Sequence, residues 1–293
     1  MEAQAGLEGD SAKYKSLGST HPKTSTGRRL ALARWIASSQ NPLAARVAVN
    51  HIWLRHFNEP LVERMFDFGL RSPKPVHSDL LDWLAVQFIE DGWSMKKLHR
   101  LIVTSGAYRR ASSAGQASNP TSKLDPDNHF LWRMNTRRAE AEAVRDSILH
   151  LGGSLDLSTG GPPIDNKQGQ SALRRSIFFR HDKERQMTFL SLFDGAKVNE
   201  CYRRRPTVAP QQALAMYNSP IAAAQSQKIA KAFSQHAGRG FIEALFEHVL
   251  CRSPKPAELK ECETFLADIP DRNRARQQLT LVLLNHNDFV TIR

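Results

Sequence analysis

Along most of this chain, apolar side chains recur three and four residues apart, and Pro or Gly cuts each run before it grows long. That spacing sets the apolar positions on one face of a helix, and the interruptions hold each helix to a few turns. No strand-like segments alternate with the helical ones, which argues against a doubly wound parallel sheet. The expected fold is therefore mainly α: an irregular multi-helix domain with one or two short β-strand pairs.

Over residues 28–39, Leu30, Leu32, Trp35 and Ile36 are spaced for an amphipathic helix, and Asn41-Pro42 breaks it. Pro42 suits the first turn of a second helix, which Leu43, Val47, Asn50, Ile52 and Phe57 carry to about His56. Ser78 and Asp79 are placed to cap a third helix with Leu80, Leu81, Leu84, Phe88 and Ile89 on one face. Ser94 caps a fourth, running to about Tyr108. A long helix is expected over residues 137–151, stopped by Gly152-Gly153. Residues 176–180 read as a short strand. Further helices are expected near 209–216, 219–234, 239–250, 256–268 and 272–285. Trp35, Trp53, Trp83, Trp93 and Trp132 lie in or beside apolar patterns and are expected in the core. Residues 1–27 read as a flexible tail or linker remnant. Residues 28–235 then form the main helical domain, with a sub-boundary near 111–124, and 236–293 a small C-terminal helical unit packed on it.

The net charge of +12 makes the chain an attractor of polyanions: nucleic acid, anionic lipid headgroups or acidic glycans. Its densest basic stretch holds Arg174, Arg175, Arg180, Arg203, Arg204 and Arg205. The guanidinium fork matches phosphate, sulfate and carboxylate, and Phe178, Phe179 and Tyr202 are placed to stack on rings. These arginines are the leading polyanion-binding candidates.

For chemistry the candidates are weaker. Glu142 and Asp146 are i,i+4 neighbours that would serve as a carboxylate pair, but flanking Arg138 and Arg145 also fit an ion-pair network. Cys201 stands beside three arginines, which favour thiolate. His77, His99 and Asp82 are ligand types for zinc or iron and would meet if the third and fourth helices form a hairpin, with no metal-ligand spacing to support it. Cys201, Cys251 and Cys262 show no CxxC spacing, so neither a zinc ribbon nor covalent haem attachment is expected. No apolar run reaches the length of a membrane span, and the first residues lack the basic-then-apolar pattern of a signal peptide.

Several stretches, in order, resemble one family. They are NPLAARVAVNHIW (41–53), DFG (67–69), HSDLLDW (77–83), LHRLIVTS (98–105) with Tyr108-Arg109, WRMN (132–135) with RRAEAEAVRD (137–146), FDG (193–195), CYRR (201–204), PQQAL (210–214) and NSP (218–220). Together they resemble the C-terminal domain of unknown function of large planctomycete and verrucomicrobial proteins, over about residues 27–289. His51 stands where that family usually has Arg, and Ala139 where it usually has Leu. The resemblance implies an upstream cytochrome c domain carrying haem c, no cofactor in this chain, a periplasmic or cell-surface location, and a setting of polysaccharide breakdown. On this reading the chain is an accessory binding domain of an exported cell-envelope system, its basic surface engaging an anionic glycan or an acidic partner protein. The alternatives are an enzyme or redox partner in haem-linked polysaccharide metabolism, with Glu142, Asp146 or Cys201 reactive, and a cytoplasmic nucleic-acid binder that no motif supports.

Overall fold

The computed structural model describes residues 24–113, 120–199, 204 and 210–292. Helices account for most of them: α1 (Arg28–Ile36), α2 (Ala44–Phe57), α3 (Ser78–Glu90), α4 (Met95–Val103), α5 (Pro120–Leu124), α6 (Ala141–Leu151), α7 (Thr188–Leu192), α8 (Pro210–Tyr217), α9 (Pro220–Ala232), α10 (Gly238–Leu250), α11 (Pro256–Asp268) and α12 (Arg272–Leu284). The sheet is one antiparallel pair, β1 (Arg137–Arg138) with β2 (Thr291–Ile292), in the register Arg137–Ile292 and Arg138–Thr291. The chain is thus mainly α, as its periodicity implied.

Two apolar clusters form the interior. In the first, α2 presents Ala45, Val49, Trp53 and Phe57 four residues apart, so they line one stripe against Leu81, Leu84 and Phe88 of α3 and Leu98 and Ile102 of α4. Trp53 stacks on Phe57 with ring centroids 4.1 Å apart. Asn50 sits fully buried on the same helix and is satisfied by both backbone polar groups of one residue: its Nδ2 donates to the Val62 carbonyl at 3.1 Å and its Oδ1 accepts from Val62 N at 2.9 Å. That pair folds the loop after α2 back onto the helix.

The second cluster joins α6 (Val144, Ile148, Leu149) to α9, α10 and α12, with Phe241, Ile242, Leu245 and Leu284 fully buried. Each such side chain contributes about 1.5–3 kcal/mol by leaving water. Helices α10 and α12 therefore share one core with α6 and α9. Two buried arginines tie loops to this core. Arg276 donates to the carbonyls of Ser234 and His236 and lies over the Phe241 ring at 4.4 Å. Arg145 does the same for residues 169–176, as described below.

The structure corrects several expectations. Residues 176–180 form no strand: Ser176–Phe178 is a single 3-10 turn, and Phe179 makes only an isolated bridge to Ile164. Ser176 N is taken by a side chain, donating to Asp146 Oδ1 at 2.8 Å, and Phe178 N and Phe179 N close the turn on the carbonyls of Arg175 and Ser176. The helix expected from residue 137 starts at Ala141, because residues 137–138 pair with β2 and Ala139 N donates to the Val290 carbonyl at 2.8 Å. Helix α4 stops at Val103, where the Thr104 hydroxyl turns back to the Arg100 carbonyl. Ser78 is the first residue of α3 rather than its cap, the position before it being His77. Helix α1 buries nothing, and Trp35 and Trp83 are 55% and 52% exposed, so neither is a core residue.

Candidate functional site

Four separated segments meet where the C-terminal end of α2 faces β1. Between them lies a cavity of about 170 Å³, lined by Arg55 and Glu59 from the α2 end, Arg137, Arg138 and Glu140 from β1 and the entry to α6, Asp194, Arg204, and Gln212 of α8. Successive strand residues point to opposite sides. Arg137 accordingly reaches α2, its Nη1 donating to the Arg55 carbonyl at 2.8 Å, while Arg138 reaches α8, its Nη2 donating to Gln212 Oε1 at 2.7 Å. Gln212 is buried and passes the contact on, its Nε2 donating to Asp194 Oδ2 at 3.1 Å. Each polar group of the buried amide is thereby used, which its burial requires.

Asp194 stands on a tight turn after α7. Its φ is +60°, a left-handed conformation that Asp tolerates better than most residues. The next residue closes the turn, Gly195 N donating to the Leu190 carbonyl at 2.7 Å. A Cβ at 195 would lie 2.7 Å from that carbonyl oxygen, so only Gly fits.

The carboxylates of the site are paired. Arg55 Nη1 donates to Glu140 Oε1 at 2.8 Å. Arg204 grips Glu142 with both guanidinium arms, Nη1 to Oε2 at 2.5 Å and Nη2 to Oε1 at 3.2 Å, and its Nη2 lies 3.6 Å from Glu140 Oε2. Glu142 is also in the first turn of α6, where the helix dipole favours an anion. Arg137 differs from its neighbours. Among the described residues its guanidinium makes the one hydrogen bond to the Arg55 carbonyl and no ion pair. Beyond Glu140 and Arg204, which line both, a second cavity of about 350 Å³ opens toward Glu142, Ser176, Arg180 and His181.

The residues singled out from sequence are distributed as follows. Glu142 pairs with Arg204 rather than with Arg138, because residue 138 is on β1 and not on the helix. Asp146 accepts from Ser176 N at 2.8 Å and from the Ser176 hydroxyl at 2.6 Å, with Arg175 Nε at 3.7 Å. Arg174 lies over the Phe178 ring at 4.1 Å and donates to the Gly160 carbonyl at 2.5 Å. Arg180 pairs with Asp182 at 2.8 Å and is 70% exposed. Cys201, Arg203 and Arg205 lie outside the described residues.

His77, His99 and Asp82 go to three different partners: the His129 carbonyl, His56 at 2.7 Å, and Arg46 at 2.5 Å. Among the described residues no three His, Cys, Asp or Glu side chains are grouped to hold a metal. Burial, with His99 and Arg137 nearby, pushes the His56 pKa below its ordinary value. Cys251 and Cys262 are free thiols, and burial together with Glu258 and Glu261 pushes Cys262 up to about 11, a poor thiolate.

Sequence reasoning passed over Arg55, Asp194 and Gln212, and took Arg137 and Arg138 as helix positions. The signal available was the FDG and PQQAL stretches, which carried the resemblance without a role; the fold brings both to one wall of the cavity with RRAE. No described helix is long and apolar enough to cross a membrane. No curated protein and no solved structure matches the chain. A family does match, over residues 28–266: the chain belongs to the PSD1 family, proteins of unknown function (DUF1553), a domain known from planctomycete cytochrome-c-associated proteins.

Proposed function

We propose that this chain is an accessory binding domain whose cleft takes an anionic glycan, with an acidic group of the sugar seated on Arg137. One observation carries the reading: Arg137 lines a concave site and, among the described residues, its guanidinium has no carboxylate partner. A sugar carboxylate or sulfate supplies the bidentate acceptor that a guanidinium fork matches. The remaining lining fits the rest of such a ligand, since Glu59, Glu140 and Asp194 offer acceptors for hydroxyls and Arg55 and Arg138 offer donors. The charge of +12 adds long-range attraction for a polyanion. Arg180, which lines the neighbouring cavity, and Arg175 are exposed and add cations to the surface. In this reading the domain works within an exported cell-envelope protein, beside a c-type haem domain, as the family's associations favour.

The test is calorimetric titration of the full chain with a polyuronate, a sulfated glycan and a neutral glycan at one ionic strength. The acidic chains are expected to bind and the neutral one not. Arg137→Gln should weaken binding at least about tenfold, the worth of one charge-assisted hydrogen bond. Equal binding of neutral and acidic chains, or no effect of the substitution, refutes the reading.

A further inference from the structure

We propose that the cleft reads the end of an anionic sugar chain, taking the terminal acidic unit in the cavity under Arg137 and the next unit in the neighbouring cavity beyond Arg204. The proposal rests on the glycan reading above and adds which part of the chain is held.

Size is the first ground. The cavity has a volume of about 170 Å³. It is below the roughly 300–1,000 Å³ of sites that enclose drug-sized ligands. It accommodates one sugar ring and not a run of them.

Shape is the second. The lining of the small cavity includes Leu54, Val144, Phe193 and Val290, all buried members of the protein interior. The cavity therefore backs onto packed apolar side chains, which a chain running straight through would have to displace. On another side it shares Glu140 and Arg204 with the cavity of about 350 Å³. A ligand that starts under Arg137 continues over that shared wall.

Charge is the third. Arg204 is held by Glu142 and approaches Glu140, so the wall between the two cavities is locally compensated. A cation reappears farther along at Arg180, with His181 beside it. Arg180 leans on Asp182, but it is largely exposed, and an exposed pair of this kind is weak enough to be exchanged for a ligand anion. Arg137 in one cavity and Arg180 in the other thus offer a separate cation to each of two successive acidic units.

The experiment titrates the full chain with oligouronates of one, two, three and six units and with the long polymer, counting moles of chain as well as moles of sugar. The single unit is expected to bind weakly and the dimer at least about fivefold tighter. Affinity per chain should then stay level, and the long polymer should bind only in proportion to its ends. Arg180→Ala should remove the gain from one unit to two and leave binding of the single unit unchanged. Arg137→Gln, with its helix content checked by circular dichroism, should remove binding at every length. Several protein copies bound along one polymer, or affinity per chain rising from two units to six while Arg137→Gln still abolishes it, overturns end recognition and leaves the glycan reading standing. Absence of uronate binding at every length, or binding indifferent to Arg137→Gln, overturns both.

Discussion

Replacing Arg145 with Met should destabilise the protein by about 3–5 kcal/mol, the usual cost of removing one member of a buried charged network. Arg145 is 1% exposed on the inner face of α6. Its Nη1 donates to the Arg174 carbonyl at 3.1 Å and the Ser176 hydroxyl at 3.2 Å, and its Nη2 to the carbonyls of Gly169 and Ala172. The guanidinium carbon also lies 4.9 Å from the centre of the Phe179 ring. Met fills much of the volume but leaves those acceptors without a donor, and each buried orphan costs about 1–3 kcal/mol. These penalties overlap, since the loop relaxes once for all of them. Lys keeps the charge but not the planar fork, so Arg145→Lys should fall between, at about 2–3 kcal/mol. Urea unfolding followed by far-UV circular dichroism measures both. Fluorescence is the wrong probe, because all five Trp residues lie at positions 35–132, outside the cluster that Arg145 supports. A loss under about 1 kcal/mol for Met, or a lysine variant as stable as the parent, refutes the view that Arg145 holds the 169–176 loop.

Other expectations follow from the same structure. Trp53→Ala should cost about 3–5 kcal/mol, the range for large core aromatics, while Trp35→Ala should cost under about 0.5 kcal/mol; comparable losses in urea unfolding would contradict the exposure of α1. Glu258 is held down to about 2, chiefly by the Arg252 side chain and also by Lys255 N. Its stabilisation is present above the ordinary carboxylate pKa and is lost as pH falls toward 2, so Glu258→Gln should cost about 1–2 kcal/mol at pH 7 and progressively less below about pH 4.5. An equal cost at pH 3 and pH 7 would contradict that. The depressed pKa of His56 acts at higher pH: the unfolded chain takes up the proton first, so stability is full above the unfolded value and falls as pH drops below about 6.5. Unfolding midpoints of the parent and of His99→Ala at pH 5.5 and 7.5 test this, with the smaller pH difference expected in the variant.

Helices were legible where their ends are signalled locally. Ser219 accepts from Ala222 N and is followed by Pro220; Asp271 accepts from Asn273 N and Arg274 N; Pro256 opens α11. The readings near 219–234, 256–268 and 272–285 accordingly fell within about two residues of the observed bounds. The stretch at 137–140 was misread because its apolar and charged pattern is helical, while the partner that makes it a strand is β2, some 150 residues away. Periodicity sees nothing at that distance. The candidate site failed to show for the same reason, since its walls come from α2, β1, the turn at Asp194 and α8. For α1 the failure runs the other way. Its apolar spacing is present, but nothing among the described residues covers it.

The basic composition pointed to polyanion binding, yet charge counted along the sequence is a poor guide to which arginines remain for a ligand. Arg145 and Arg276 are spent on backbone carbonyls inside the fold. Arg252 is spent on Glu258 and Asp288, and Arg204 on Glu142. Within the densest basic stretch, Arg174 is taken up by Phe178 and the Gly160 carbonyl, and Arg175 and Arg180 face Asp146 and Asp182. Buried arginines such as Arg145 and Arg276 act as cross-links, and removing one unfolds structure rather than releasing a ligand, whereas the pair at Arg180 is exposed and exchangeable. Arg137 is the contrast: half-buried, fastened to the Arg55 carbonyl, and lining a cavity without an acid of its own. A cation so placed already bears much of the cost of desolvation, and an incoming anion recovers it. Salt should therefore weaken binding at Arg137 less steeply than it weakens contacts at exposed Arg180, because screening acts mainly on charges in contact with solvent.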